Sequence, residues 1–274
     1  MGLLAVTGSS RRRSAGGGDA DALSYFTRAG ITDTAEKANI TALIAGMKTE
    51  GIWSSLTDLW LLRPNQQSTG GTTMFALKNN ANNGTLNGTG LPAFSTHGVE
   101  IRNSTQRVAT PISVSMNQDF TAGAVFRCFS NPLYSRLLGT TPPTIGGYSL
   151  MFLRYTSLNP ATIGSYSGAE VLGTIGNVGV HNFAVSAYDR NTVTPASSPY
   201  QALQNSATAS TAVNVNHAAS THTLALNGAA SGESFGNGDV SLFFLWLGTR
   251  ITNAQISNFY ALLKTTVSQG LSLP

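Results

Sequence analysis

The sequence predicts a mainly β fold, an antiparallel β-sandwich flanked by short helices at both ends. Two observations lead to this prediction. Apolar residues recur at helical spacing near the start and near the end of the chain. Between about residues 62 and 240, short segments that alternate apolar and polar residues follow one another, separated by Gly, Asn, Pro and Ser. Strands that recur without helices between them favour an antiparallel sheet over a parallel α/β sheet.

These patterns divide the chain into three parts. We expect a flexible basic arm over residues 1–18, followed by one globular domain over 19–274. Within that domain, residues 19–61 are predicted to form a helical segment packed on the sandwich, and residues 62–274 the sandwich with a C-terminal helix. A chain of 274 residues is long enough to bury about three quarters of its unfolded surface.

The N-terminal segment predicts two helices. Asp33 and Glu36 have the spacing of a capping box, and Gly51 supplies a stop signal. A shorter helix is expected over residues 21–29, closed by Gly30. The apolar stripe of the longer helix consists of Ile40, Leu43, Ile44 and Met47.

The middle of the chain predicts strands and turns. HNFAVSAYD alternates as a half-buried strand does, and Asn227-Gly228 is a typical hairpin turn. VSLFFLWLG is apolar at nearly every position, which favours a central strand covered on both faces. In the helix that follows, Thr252 and Gln255 form a second capping box, and the helix is expected to end near Gly270. Its apolar stripe consists of Ile256, Phe259, Tyr260 and Leu263.

Three segments carry a resemblance to a known family: DADALSYFTRAGITDTAEKANITALIAGMKTEGIWSSLTDLWLL, LPAFSTHGVEIRNSTQRVATPI and FFLWLGTRITNAQISNFYALLKTTV. In this order they resemble the concanavalin A-like, laminin-G-like domain of tailed-bacteriophage virion proteins, over roughly residues 19–274. In that family the opening helices lead into a phrase like GIWSSL at 51–56. A late strand runs into a helix that starts like ITNAQ at 251–255.

The resemblance implies a non-enzymatic structural protein, a head decoration or tail component on the virion surface, assembled in the bacterial host cytoplasm. Its jelly-roll domain would be displayed outward, and other capsid or tail proteins would be its partners. We expect a homo-oligomer and guess a trimer. The same pattern also occurs in prophage-derived bacterial proteins.

Composition limits the other classes of function. Charged residues make up 10% of the chain, and three of its four net positive charges are Arg11, Arg12 and Arg13. The rest of the chain is therefore nearly neutral, which makes nucleic-acid binding by the domain an unfavoured interpretation. The apolar run at 242–247 is far shorter than a membrane span. Cys128 is the single cysteine, so neither an internal disulfide nor a cysteine-based metal cluster is expected.

The N-terminal arm is the candidate anchoring segment. Its arginines follow the apolar residues, the reverse of a signal peptide. In the anchoring interpretation, Leu3, Leu4 and Val6 fill an apolar groove or extend a sheet edge on a shell subunit. Arg11, Arg12 and Arg13 pair with its carboxylates, and residues 14–18 act as a hinge. A disordered tail with incidental charge, or arginines bound to packaged nucleic acid, are the alternatives.

Two further functions stay open. A lectin-like module would bind host-surface glycans, for which scattered tyrosines are candidates, although core or interface packing is the preferred interpretation of each: Tyr148, Tyr155, Tyr166 and Tyr200. A glycoside hydrolase would need two carboxylates at a short separation. The sequence places no such closely spaced pair in the β region.

No cofactor or metal is predicted. The Asn-rich segment NNANNGTLNG at 79–88 offers oxygen ligands but no carboxylate to anchor Ca²⁺. The histidines are His97, His181, His217 and His222. They lack zinc-site spacing and are interpreted as ordinary strand-face residues, although His217 and His222 could face each other across a hairpin.

Overall fold

The computed structural model describes residues 18–67, 71–102, 105–115, 118–128, 135–141, 149–154, 162–166, 170–174, 181–188, 199–204, 208–209, 213–214, 221–226, 240–268 and 273. Within these residues the protein is mostly β, with four α-helices at the two ends of the chain. The helices are α1 (Ala20–Ala29), α2 (Thr34–Thr49), α3 (Ile52–Ser55) and α4 (Asn253–Thr265).

Local capping signals set the helix boundaries as predicted. The Asp33 side chain accepts a hydrogen bond from Glu36 N at 2.7 Å at the start of α2. Gly30 ends α1 with φ 66°, and Gly51 follows α2 with φ 69°. Both are left-handed conformations that glycine adopts without a steric cost. The predicted capping box of α4 is confirmed, with Thr252 as its first residue.

The strands follow in chain order: β1 (Leu56–Leu61), β2 (Thr73–Met74), β3 (Gly84–Asn87), β4 (Ala93–Ser95), β5 (Gly98–Ile101), β6 (Arg107–Ser115), β7 (Phe120–Cys128), β8 (Ser135–Thr141), β9 (Ser149–Arg154), β10 (Thr162–Tyr166), β11 (Glu170–Thr174), β12 (His181–Tyr188), β13 (Pro199–Gln204), β14 (Thr208–Ala209), β15 (Val213–Asn214), β16 (Thr221–Leu226) and β17 (Val240–Gly248).

These strands form two antiparallel sheets. The first has the order β14-β13-β12-β7-β17-β5-β4, with β1 also paired to β17 and β15 to β13. The second has the order β11-β10-β9-β8-β16-β6-β3-β2. Strands of the two sheets contact each other, for example β7 with β9 and β11 with β13.

Strand β17 is central, as predicted from VSLFFLWLG. It pairs with β7 along one edge, while β5 and β1 share the other edge end to end. Residues 240–242 pair with β5, residues 244–248 pair with β1, and the register shifts between Leu242 and Phe244. The bulge at Phe243 therefore marks the change of partner strand.

The helices cover one face of the first sheet. On β12 the alternating residues Phe183, Val185 and Ala187 are buried, and they share a hydrophobic core with Val125 of β7. The residues contributed to this core by α1, α2 and α4 include the two predicted apolar stripes: Ile40, Leu43, Ile44, Met47, Ile256, Phe259, Tyr260 and Leu263. The predicted apolar face of β12 is confirmed, but the opposite face is not open to solvent where it is described, because Asn182 is also buried.

Two boundaries differ from the prediction. Strand β1 begins at Leu56, inside the segment expected to be helical up to residue 61. Leu59, Trp60 and Leu61 are all fully buried, so this strand lacks the alternation that would have distinguished it from a helix. Helix α4 ends at Thr265 rather than near residue 270. The β-branched residues Thr265, Thr266 and Val267 stand at this end of the helix.

Among the described residues, no helix has the length and apolar character needed to cross a bilayer. The hairpin turn predicted at 227–228 lies outside the described residues.

Candidate functional site

The arm residues singled out from the sequence lie outside the described residues: Leu3, Leu4, Val6, Arg11, Arg12 and Arg13. Among the described residues, two contacts hold the start of α1. Asp19 caps α1 by accepting from Asp21 N at 3.0 Å, and its carboxylate also binds Lys48 Nζ at 2.8 Å. Lys48 lies in the last turn of α2, so the start of α1 is tied to the helical layer.

The Asn-rich segment acquires a carboxylate from a distant part of the chain. Asp58 of β1 accepts hydrogen bonds from the backbone N–H groups of Leu59 and Lys78 at Oδ1, each at 2.9 Å. Its Oδ2 accepts from Asn79 N at 3.0 Å and from Asn82 Nδ2 at 2.9 Å. Asp58 is fully buried.

This arrangement is a structural lock rather than a cation site. Four N–H groups point their positive ends at the Asp58 carboxylate, whereas Ca²⁺ requires oxygen ligands that face the ion. Burial raises the pKa of Asp58 despite these four donors. Across the described part of the chain, no group of three or more His, Cys, Asp or Glu residues is placed to hold a metal ion.

A row of polar residues crosses the first sheet at one end. His181 of β12 lies opposite Arg127 of β7, Arg127 lies opposite Ser241 of β17, and Ser241 lies opposite Glu100 of β5. Directly paired residues on adjacent antiparallel strands place their side chains on the same face. Because His181 and Phe183 are two residues apart on β12, the side chains of His181 and its partner Arg127 lie on the face that the helices cover.

His97 joins this row from the tight turn between β4 and β5. The turn is held by a hydrogen bond from His97 N to Ser95 Oγ at 3.0 Å. Arg127 Nη1 lies 3.2 Å from Nδ1 and 3.3 Å from Nε2 of the His97 ring. The ring centroids of His97 and His181 are 5.8 Å apart.

We define the basic cluster as Arg63, His97, Arg127 and His181. Burial, followed by the charges of Arg127, His97 and Arg63, lowers the pKa of His181 to about 4. Two arginines therefore impose a positive potential at a site where the ring of His181 stays neutral near pH 7.

The cluster lies at the edge of the covered face. His181 is 8% exposed, whereas Arg63, His97 and Arg127 are half-buried and within reach of solvent. Glu100, in the same row, accepts from Arg102 Nη2 at 2.8 Å and from Arg102 Nε at 3.1 Å. Burial raises the pKa of Glu100, but hydrogen bonds from Ser95 and Arg102 outweigh this effect and hold the pKa below its ordinary value.

A groove of about 520 Å³ lies elsewhere on the described part of the chain, between α2 and α4. Gly46 and Leu262 line its floor, and a Cβ atom at Gly46 would lie only 2.6 Å from the Leu262 methyl groups. At one end Asn258 Nδ2 donates to Glu50 Oε2 at 2.6 Å. The polar groups at that end bind each other, so the groove presents no converging polar groups of its own.

Sequence reasoning did not find the basic cluster. It treated His97 and His181 as unrelated strand-face residues, because 84 positions separate them and no local motif connects them. Arg127 and His181 are brought together by pairing between β7 and β12, which follows from sheet topology. A periodic pattern along one strand carries no information about which strand is its neighbour.

The other singled-out residues fall on parts of the chain for which little is described. Tyr148, Tyr155 and His217 lie outside the described residues. Tyr166 belongs to β10, Tyr200 to β13 and His222 to β16, with their side chains not among those described. The expected pairing of His217 with His222 and the role of the tyrosines therefore stay predictions.

Comparison with known proteins gives structural matches alone. No family model matches the chain, and none of the curated proteins compared with it matches either. Trypanosoma rangeli sialidase in complex with sialic acid is similar in structure, with a TM-score of 0.58 and 12% sequence identity, over 83% of this chain and 39% of that chain.

The binding domain of botulinum neurotoxin serotype D is also similar, with a TM-score of 0.53 and 8% identity, over 79% of this chain and 52% of that chain. The chain thus spans about two fifths of the sialidase and about half of the toxin domain. At identities this low, the structural similarity shows a shared β-rich fold alone.

Proposed function

We propose that this protein is a non-enzymatic structural component of a bacteriophage particle, a head decoration or tail protein. In this proposal the two sheets form a concanavalin A-like β-sandwich displayed on the virion surface, and residues 1–18 anchor it in the particle. The observation that carries the proposal is the held start of α1: Asp19 caps the helix and binds Lys48, directly after residues 1–18, whose sequence contains no periodic apolar pattern.

The use of the described carboxylates supports a role without catalysis. Asp58 accepts four N–H groups, Glu100 binds Arg102, and Asp19 binds Lys48. A glycoside hydrolase would need two carboxyl groups about 5–10 Å apart that act on a bond between sugars. Carboxylates committed to hydrogen bonds of this kind hold structure instead.

Deletion of residues 1–18 tests the proposal. We expect the truncated protein to keep the melting temperature of the full chain, because the arm carries no periodic pattern of apolar residues. We also expect its incorporation into particles to be abolished. Full occupancy of the truncated protein in purified virions would show that attachment lies on the domain.

Two matched arm variants separate apolar anchoring from electrostatic anchoring. Replacing Arg11, Arg12 and Arg13 with Gln removes the charges and keeps the apolar residues. Replacing Leu3, Leu4 and Val6 with Ser does the reverse. If the arginines pair with shell carboxylates, added salt should weaken incorporation of the intact protein. The same rise in salt should weaken incorporation of the Gln variant less.

Assembly into a symmetric oligomer belongs to the same proposal. Because only 10% of the residues in the chain are charged, little charge has to be desolvated when copies pack laterally. We expect a trimer, and sedimentation of the isolated protein measures this directly. A monomer at all concentrations would leave assembly to the particle lattice.

A lectin-like role is the second candidate function. It is favoured by the basic cluster at the end of the first sheet, together with structural similarity to a toxin binding domain. In this role the domain would bind glycans on the host surface. A glycan array distinguishes the two candidates, because a purely structural protein should bind none of its saccharides.

A further inference from the structure

We propose that Arg63, His97, Arg127 and His181 form a binding site for a single oxyanion, the carboxylate or sulfate group of an acidic saccharide. This inference gives the lectin-like candidate function a position and a ligand class. The identification of the anion as part of a saccharide rests on that candidate function. The site itself is argued from the geometry of the cluster.

The first argument is convergence. Three residues from separate parts of the chain meet at one end of the first sheet: His97 in the β4–β5 turn, Arg127 at the end of β7 and His181 at the start of β12. Arg63, which follows β1, acts on His181 through its charge. Pairing of β12 with β7 and of both β7 and β5 with β17 fixes three of these backbones relative to one another. The donors are thus held by a sheet rather than by a long loop, which reduces the entropy lost on binding.

The second argument is donor chemistry. A guanidinium group carries N–H donors and no acceptor, and Arg127 Nη1 lies 3.2 Å from Nδ1 of His97. An imidazole ring carries at least one N–H donor in either tautomer. Arginine and imidazole N–H groups together suit carboxylate and sulfate oxygens, which accept several hydrogen bonds in a planar or tetrahedral arrangement.

The third argument is the sign of the local potential. Arg127, His97 and Arg63 all act on His181 in the direction that disfavours a further positive charge. The acidic residue of the row, Glu100, is bound by Arg102 on the adjacent segment. A bound anion would be attracted by the positive potential at His181 and would lower it, whereas a cation or an additional proton would be repelled.

Sulfate and D-glucuronate are the probes that test this inference, with D-glucose as the neutral control. Binding is measured on the full chain as the rise in melting temperature with ligand concentration, at constant ionic strength set with NaCl. We expect saturable stabilisation by sulfate and glucuronate, and no such effect of glucose. Stabilisation that is equal for sulfate and for chloride at the same ionic strength would overturn the proposal.

Variants locate the site. Arg127→Gln and Arg63→Gln should each weaken sulfate binding by about tenfold or more, as expected for loss of a charge-assisted hydrogen bond. Lys264→Gln removes one positive charge from an exposed position on the last turn of α4 and should leave affinity within about twofold. Unchanged affinity in folded Arg127→Gln and Arg63→Gln would refute the assignment.

A second readout does not depend on whether Arg127→Gln folds. Titration of the imidazole NMR signals should show that saturating sulfate raises the pKa of His181 in the intact protein, because the anion offsets the positive charges of Arg127, His97 and Arg63. In Arg63→Gln this rise should shrink. No change in the pKa of His181 on sulfate addition would contradict the site.

The outcomes separate this inference from the proposed functions. Failure of the sulfate and glucuronate experiments removes the oxyanion site while leaving arm-dependent incorporation untouched. A negative glycan array with positive sulfate binding keeps the site and removes the saccharide. Binding of glucuronate without binding of sulfate restricts the ligand to carboxylates.

Discussion

Asn82 donates a hydrogen bond from Nδ2 to Asp58 Oδ2 over 2.9 Å and thereby ties the Asn-rich segment to the first strand of the domain. The same carboxylate collects three backbone N–H groups. We expect Asp58→Ala to destabilise the protein by about 3 kcal/mol, because four buried or half-buried donors lose their acceptor. Urea unfolding measures this change.

Asp58→Asn distinguishes charge from geometry in this lock. The variant keeps the size of the side chain but replaces one acceptor oxygen with an NH₂ group that faces N–H donors. We expect a loss between that of Asp58→Ala and zero. Exposed Asn80→Ala, in the same segment, is the control and should change the free energy of unfolding by less than about 0.5 kcal/mol.

This lock shows which parts of the fold the sequence could predict. Helix α2 was predictable because its cap at Asp33 and its apolar stripe are local signals. The contact between Asp58 and Asn82 spans 24 positions and joins a strand to a turn, so no local pattern indicated it. The Asn-rich segment contains no carboxylate of its own, and β1 supplies one.

The basic cluster escaped prediction for a related reason. Strand β12 was predicted from its alternation, which placed Phe183, Val185 and Ala187 on one face. Alternation also implies that His181 shares that face, but the identity of its neighbour depends on the pairing of β12 with β7. Sheet order is set by contacts along the whole chain, and the sequence pattern of one strand does not determine it.

A buried polar network around Gln67 should contribute strongly to stability. Gln67 Nε2 lies 2.5 Å from Leu61 O, 3.1 Å from Phe75 O and 3.2 Å from Tyr25 Oη, and its two N–H groups are shared among these three acceptors. Its Oε1 accepts from Phe75 N at 2.8 Å. We expect Gln67→Ala to cost about 3 kcal/mol, because it leaves several buried backbone groups without partners.

Tyr25→Phe is the milder change in the same network. Tyr25 is fully buried and donates to Gln66 O at 2.5 Å, so removal of its hydroxyl should cost about 1–2 kcal/mol while the ring keeps its packing. Equilibrium unfolding of the two variants should therefore rank Gln67→Ala as the more destabilised. The opposite order would contradict this account of the network.

Gly248 marks a close approach between the end of β17 and the start of β1. Thr249 N donates to Ser55 O at 2.9 Å, and a Cβ atom at Gly248 would collide with that Ser55 oxygen and lie 3.0 Å from Leu56 Cα. Backbone atoms cannot move aside as a flexible side chain does. We expect Gly248→Ala to lower stability by about 2 kcal/mol or more.

Gly71→Ala provides the matched control for that substitution. Its added Cβ would meet its nearest neighbour, Thr73 N, at 3.8 Å, which is ordinary van der Waals contact. Gly71 is exposed, so the change should be close to neutral in thermal unfolding. Equal effects of the two substitutions would show that the contact with Ser55 does not limit residue 248.

The pH dependence of stability should carry the signature of His181. Burial and the neighbouring Arg127, His97 and Arg63 lower the pKa of His181 from an ordinary value of 6.5 to about 4 in the folded protein. Between these values the unfolded chain binds more protons at this position than the folded protein does. Stability therefore falls as pH decreases from about 6.5 to about 4, by at most about 1.4 kcal/mol per pH unit, and this contribution levels off below pH 4.

His181→Gln isolates that contribution from the titration of the carboxylates. The variant cannot gain a proton in either state, so its free energy of unfolding should decline less than that of the intact protein between pH 6.5 and pH 4. Above pH 7 the comparison measures only the loss of packing and hydrogen bonding, because the His181 ring is neutral in both states. Parallel curves for the two proteins across the acidic range would mean that His181 takes up its proton as readily in the folded protein as in the unfolded chain, and that the basic cluster does not impose the positive potential inferred from its geometry.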